Sequence, residues 1–206
     1  MRIRHGELEE CLSDPLKWVA AKLAPTGGGP RAGYDHCLRE GLYHFHKTED
    51  VAAARLYIER TTTNRRLLNR LRVEQILERF DSYIQWYESS GVVVADHRSQ
   101  LDLDLESGLI LGGTVSRVDI TSDGYRVILL GLRKPTWQQE TRMPLIQRAM
   151  ATKYERPEDE VSVGYQNLDG GELDVATYSQ SALNEAENLA RQLALTVAIE
   201  VAAFGT

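Results

Sequence analysis

A chain of 206 residues is long enough for one domain with a substantial core, and 42% hydrophobic with 26% charged residues is the composition of an ordinary soluble globular protein. With 24 Lys and Arg against 30 Asp and Glu, a net charge of −6, the whole surface is not built to grip nucleic acid, because that binding comes from cations neutralising phosphates; a local basic patch stays open. Cys11 and Cys37 are the only cysteines, which excludes a disulfide framework or a zinc set, and no run reaches the roughly 20 apolar residues that span a bilayer. The N-terminus lacks the apolar stretch of a signal peptide, so the expectation is one cytoplasmic domain over residues 1–206 with no membrane partner.

In chain order, residues 7–24 read as two short helices. Asp14-Pro15 opens the second, Ser13 is placed to cap it, and Leu16, Val19, Ala20 and Leu23 fall on one face. The Pro-Thr-Gly-Gly-Gly-Pro run at 25–30 is a loop, and a helix follows to about Lys47. A strong apolar stripe that includes Leu68, Leu71, Phe80 and Ile84 predicts a helix over 65–88, capped by Asn64. Its first turns carry Arg65, Arg66, Arg70 and Arg72, a basic cluster able to meet a phosphate backbone but read first as a solvated helix face.

The pattern then changes from period 3.6 to period 2. Gly91 starts a sheet, and Leu101, Leu103 and Leu105 alternate with Asp102, Asp104 and Glu106, a strand with one wet face rather than a metal cluster. Residues 109–120 and 125–132, rich in β-branched and aliphatic side chains, predict two antiparallel strands joined by Thr-Ser-Asp-Gly at 121–124. Pro144 suits the first residue of a helix running to 154, an acidic loop covers 155–160, and 161–168 with 172–175 form a further hairpin. Ser181 to Phe204 is a long Ala-rich helix whose last half is apolar nearly all round, which places it in the core or against a protein partner or a second copy of the chain. The predicted fold is α/β (α+β): a helical part over about 1–90, a central mixed sheet flanked by helices over about 91–178, and the C-terminal helix over 181–204.

Three short stretches carry a resemblance: Gly113-Thr114-Val115-Ser116, Gly131-Leu132-Arg133, and Gln147 on the helix that follows. The order hairpin, basic turn, helix resembles the catalytic core of the RecB-type nuclease domain of the PD-(D/E)XK phosphodiesterase superfamily, which implies a restriction-endonuclease-like core. That family carries Gly-x-Ile/Val-Asp on the first strand, Asp/Glu-x-Lys at the end of the second, a Gln on the helix and a metal-binding His on an earlier helix. His36 stands for that His, with the spacing from Gly33 one residue short, and Asp14-Pro15-Leu16-Lys17-Trp18 stands where the family has a Cys-Pro pair, with Asp14 in place of Cys.

The two carboxylate positions hold Ser116 and Gly131, and the lysine position holds Arg133, so the resemblance implies a vestigial site of His36, Ser116, Gly131, Arg133 and Gln147 with no catalytic set intact. In such nucleases the carboxylates hold divalent cations that lower the pKa of the attacking water. A hydroxyl and a glycine do not replace two negative charges around Mg²⁺, and an arginine holds a phosphate without exchanging protons. No cofactor is therefore expected, Mg²⁺ or Mn²⁺ only if the site is rearranged. Some relatives hold an iron–sulfur cluster on four cysteines, and none is expected in a chain without cysteine after Cys37.

The favoured function is a non-catalytic RecB-type nuclease-like domain acting as a DNA-binding or assembly module in DNA repair, recombination or phage defence. Its DNA contacts are expected at Arg117, Arg133, Lys134, Arg142 and Arg148. One alternative is an active metal-dependent nuclease in which His36 joins Asp119 or Glu140, although alternation puts Asp119 on the opposite face from Ser116. The other is a purely structural subunit docked through its C-terminal helix.

Overall fold

The computed structural model describes residues 1–24, 34–63, 70–105, 108–131, 136–169 and 171–204. The chain opens on a short strand absent from the expectation, β1 (Arg2–Arg4), followed by α1 (Leu8–Ser13) and α2 (Pro15–Leu23). Asp14, not Ser13, caps α2: its Oδ1 accepts from the Lys17 N–H at 3.0 Å. The buried face also differs, since Trp18 and Val19 point into the core while Leu16 and Leu23 are exposed. The reason is tertiary, because Trp18 and Val19 meet the C-terminal helix and a stripe on α2 has no preference between neighbours.

α3 (Tyr34–Thr48) leads into α4 (Val51–Thr63), a helix the apolar pattern did not announce, and α5 (Arg70–Ser90) follows, the expected start at 65 lying outside the described residues. Asn64, Arg65 and Arg66 lie outside the described residues. Four strands follow, β2 (Val93–His97), β3 (Gln100–Asp104), β4 (Ile110–Thr114) and β5 (Arg117–Thr121), and they correct the expectation of one strand over 109–120. That stretch breaks at Ser116 and serves two sheets.

The break is a shared corner. The Arg98 N–H donates to the Ser116 carbonyl at 3.0 Å and the Val115 N–H to the Ser99 carbonyl at 2.9 Å, so the β2–β3 and β4–β5 connections turn together. Arg98 takes φ +60 to make that turn, a conformation that non-glycine residues rarely adopt. Before the corner lies a three-stranded sheet ordered β1-β4-β3; after it lies a five-stranded sheet with β2 and β5, then β6 (Gly124–Gly131), β7 (Val161–Asn167) and β8 (Leu173–Ala176), ordered β2-β5-β6-β7-β8. Both sheets are mixed, with β1 parallel to β4 and β6 parallel to β7.

The β6 to β7 crossover passes through α6 (Arg142–Lys153), whose third residue, not its first, is Pro144; the first turn still demands no N–H from it. The long helix α7 (Gln180–Phe204) ends the described chain. The fold is α+β, with helices on both faces of the five-stranded sheet. Ile128 and Leu130 pack under α3, α4 and α5, while Val127 and Leu129 pack under α6, as alternation on a doubly covered strand requires. A third cluster joins α1, α2 and α7 to β1 and β4 through Ile3, Leu8, Val19, Leu111 and Ala190.

The apolar end of α7 divides rather than burying all round: Leu193, Ala194 and Val197 are buried, and Leu195 and Ile199 face outward. No helix among the described residues is long and apolar enough to cross a membrane.

Candidate functional site

A cleft of about 1260 Å³ opens where β1, the sheet corner, α3 and the start of α6 meet. Three residues far apart in the sequence, His36, Ser116 and Gly131, line it together. Ser116 holds the corner, its Oγ accepting from the Leu130 N–H at 3.1 Å. A Cβ at Gly131 would stand 2.3 Å from the Tyr165 hydroxyl, so any larger residue there displaces that ring. His36 is 42% exposed, with Nδ1 3.9 Å from the Glu40 carboxylate one turn on.

The cleft is basic. Among its described lining residues Arg2, Arg4, Lys22, Arg39, Arg98 and Arg142 carry positive charge, against the carboxylates of Glu7 and Glu40. Both carboxylates are already engaged, Glu7 with Lys22 at 2.9 Å and Glu40 with the Arg98 guanidinium. A chain of net negative charge thus concentrates positive potential in one concavity, where low-dielectric walls focus it.

The positions of these cations are enforced. Arg98 reaches from its strained corner to Glu40 on α3 and lies over the Tyr43 ring, 4.7 Å from its centroid. On the opposite wall Arg142 Nε donates to Glu140 at 2.6 Å, its backbone N–H donates to Glu9 at 3.1 Å, and its Nη1 lies 3.3 Å from His5 Nδ1. The other ring nitrogen, His5 Nε2, lies 3.1 Å from the Thr114 carbonyl. A carbonyl only accepts and a guanidinium only donates, so His5 is neutral with its proton on Nε2. Burial and then the charge of Arg142 hold its pKa below the ordinary histidine value. Gly113 makes room for this ring: its φ of +144 favours glycine, and a Cβ there would sit 2.6 Å from His5 Cδ2.

The remaining expected residues fall elsewhere. Arg133 and Lys134 lie outside the described residues. Gln147 is fully buried away from the cleft, its amide donating to the Glu158 carbonyl at 2.8 Å and accepting from the Tyr178 N–H at 2.8 Å, so it ties α6 to the chain that follows. Two of the expected DNA contacts are corrected. Arg117 is 0% exposed and bonded to Asp119, and a guanidinium with no surface cannot meet a phosphate backbone. Arg148 is spent on Glu158 at 2.6 Å, Glu187 and Asn184, a clamp between α6 and α7. Arg142 alone of the described candidates lines the cleft, and Arg2, Arg4, Lys22, Arg39 and Arg98 were missed because they come from separate elements that only the fold brings together.

The donor set does not suit a divalent cation. Asp119 and Glu140, the carboxylates of the rearranged-site alternative, are each held by an arginine, Arg117 and Arg142. Among the described residues no group of three His, Cys, Asp or Glu is placed to hold a metal ion. Cations outnumber carboxylates among the described lining residues, which opposes a further positive charge there.

No protein-family model matches the chain, and no curated protein matches it. Among solved structures it overlays with one described as "Crystal structure of SSO0001", at 8% identity and a TM-score of 0.33, over 92% of this chain and 85% of that one. An overlay that loose shows neither a common fold nor a common activity.

Proposed function

We propose that the chain is a non-catalytic nuclease-like domain that holds DNA by its phosphates in the basic cleft, serving as a binding module in repair, recombination or phage defence. The observation that carries this is the convergence of Arg2, Arg4, Lys22, Arg39, Arg98 and Arg142 on the concavity lined by His36, Ser116 and Gly131, with its two acids already paired. The RecB-type resemblance of 113–116 and 131–133 supports the choice of nucleic acid over other polyanions. Holding without cutting fits the Ser116 and Gly131 positions, because the metal-dependent hydrolysis of the resembled family needs carboxylates there to bind its metal.

The test is a fluorescence anisotropy titration of a labelled DNA oligonucleotide at several salt concentrations, with Arg4→Glu and Lys22→Glu as variants. Binding should weaken in the double variant, and the slope of log K against log salt should flatten by about one for each phosphate that is no longer neutralised. Wild-type affinity in the double variant, or metal-dependent cleavage of the DNA by the wild type, sinks the proposal. An assembly role rests on a different surface, the outward Leu195 and Ile199 of α7, and light scattering of Ile199→Glu against the wild type reports on it.

A further inference from the structure

The contact between His5 and Arg142 is unlike the other cation contacts in the cleft. Arg98, Lys22 and Arg2 each spend charge on a carboxylate, from Glu40, Glu7 and Asp102. Arg142 spends part of its charge on Glu140, but among the described residues its Nη1 meets the lone pair of a neutral imidazole and no carboxylate. That lone pair is the one place on the ring that takes a proton, because Nε2 already donates to Thr114. Once Nδ1 is protonated, two N–H donors face each other across 3.3 Å with no acceptor between them. An oxyanion that accepts from both gives each donor a partner.

We propose that His5 and Arg142 form a proton-coupled clasp for a phosphodiester oxygen: the oxygen accepts from both His5 Nδ1–H and Arg142 Nη1–H from the cleft side of the pair, and His5 gains one proton from solvent as the strand binds. This rests on the reading of the cleft as a DNA site and specifies how one phosphate is held. The groups facing His5 are consistent with it. From α6 comes Arg142, from α3 Arg39, from β4 the Thr114 carbonyl, and from the loop before α6 Glu140. Burial and the two arginines disfavour the imidazolium in the empty cleft, while Glu140 and the carbonyl favour it. A bound phosphate offsets the arginines, so the proton is taken up on binding and released on dissociation. Affinity should then rise as pH falls through the neutral-to-acid range, by up to about tenfold per unit for one coupled proton. Gly113 borders the ring and Gly6 the guanidinium, and both His5 and Arg142 line the cleft.

The probe is an oligothymidylate without terminal phosphates, because neither thymine nor a phosphodiester titrates in this range. Calorimetric titration in two buffers of different protonation enthalpy reads the number of protons taken up, and the carbon-bound ring protons of His5 in the wild type report its protonation with and without the strand. The expected result is uptake approaching one proton, a His5 resonance that shifts to the imidazolium position on binding, and an affinity in His5→Gln that no longer rises in acid. DNA binding by the wild type without uptake, uptake unchanged in His5→Gln, or uptake abolished in His36→Gln instead overturns the clasp and leaves the DNA site standing. No binding of the strand at any pH removes both.

Discussion

Arg117 and Asp119, two residues apart on β5, face each other inside the protein at 2.5 and 2.9 Å and are 0% and 1% exposed. The guanidinium also donates to the Tyr83 hydroxyl and to Gln166, and lies 5.0 Å from the Trp86 ring centroid. Burial works against the charge of Arg117, and Tyr83 with Asp119 outweighs it, so its pKa is raised. Residues i and i+2 of a strand share a face, and here that face is covered by α5, which turns an apparent DNA contact into an interior ion pair that fixes helix to sheet.

Breaking this pair should be costly and mending it cheap. Asp119→Ala or Arg117→Ala leaves one charge buried without its partner, a loss of about 3–5 kcal/mol of stability. Replacing both with apolar residues of similar size should cost much less than the two single changes together. Urea denaturation of the two single variants and the double variant measures the difference; additive losses mean that the pair is not coupled.

A second consequence is a stability that falls in acid. His46 Nε2 lies 2.7 Å from the Tyr83 hydroxyl, which already accepts from Arg117, so Tyr83 donates to a neutral His46. Burial, then the charges of Arg117 and His97, push the His46 pKa down to about 3 from 6.5. The unfolded chain binds this proton first, so stability is intact above about pH 6.5 and is lost as pH falls toward 3, at roughly 1.4 kcal/mol per unit at most. Urea midpoints at neutral and acid pH should drop less for His46→Gln than for the wild type. Parallel falls would assign the acid sensitivity to other groups.

Arg148 gives a prediction that separates architecture from binding. Its bonds to Glu158, Glu187 and Asn184 hold α6 to α7, and it is not among the residues that line the basic cleft. Arg148→Met should lower stability by about 1–3 kcal/mol, the cost of stranding partly buried partners, and leave the salt dependence of DNA binding as it was. A flattened salt slope in this variant returns Arg148 to the DNA contacts.

The sequence made some of this readable and hid the rest for physical reasons. β5 and β6 were legible because β-branched runs flank Thr121 to Gly124, a signal confined to neighbours in the chain. α7 was legible because alanine and leucine sustain one period over 25 residues. The corner at Ser116 was not, since nothing at Ser116 itself marks a turn within the β-rich run from Leu109 to Ile120, and the turn is imposed by Arg98 and Ser99 across the sheet. β1 escaped because three residues carry no period, and its parallel partner β4 lies over a hundred residues away. The cleft shows the same division. His36, Ser116 and Gly131 follow from short motifs, while the cations around them come from β1, α2, α3, the Arg98 corner and α6, and only the fold says that they meet.

Under the proposed nuclease-like reading, acids placed at Ser116 and Gly131 should not create a metal centre. Ser116→Asp keeps an oxygen near the Leu130 N–H, but Gly131→Asp places a Cβ 2.3 Å from the Tyr165 hydroxyl, and that ring is backed by Trp137 at 6.1 Å between centroids. The collision should destabilise the double variant by about 1–3 kcal/mol, relieved when Tyr165→Ala is added. Even with that room made, Arg98 and Arg142 stand around the new carboxylates and compete with the ion for them, so calorimetry should detect no tight Mn²⁺ site in the triple variant. Stoichiometric Mn²⁺ binding with cleavage of DNA would show that two carboxylates outweigh the cations, and that the missing acids alone separate this cleft from a hydrolytic one.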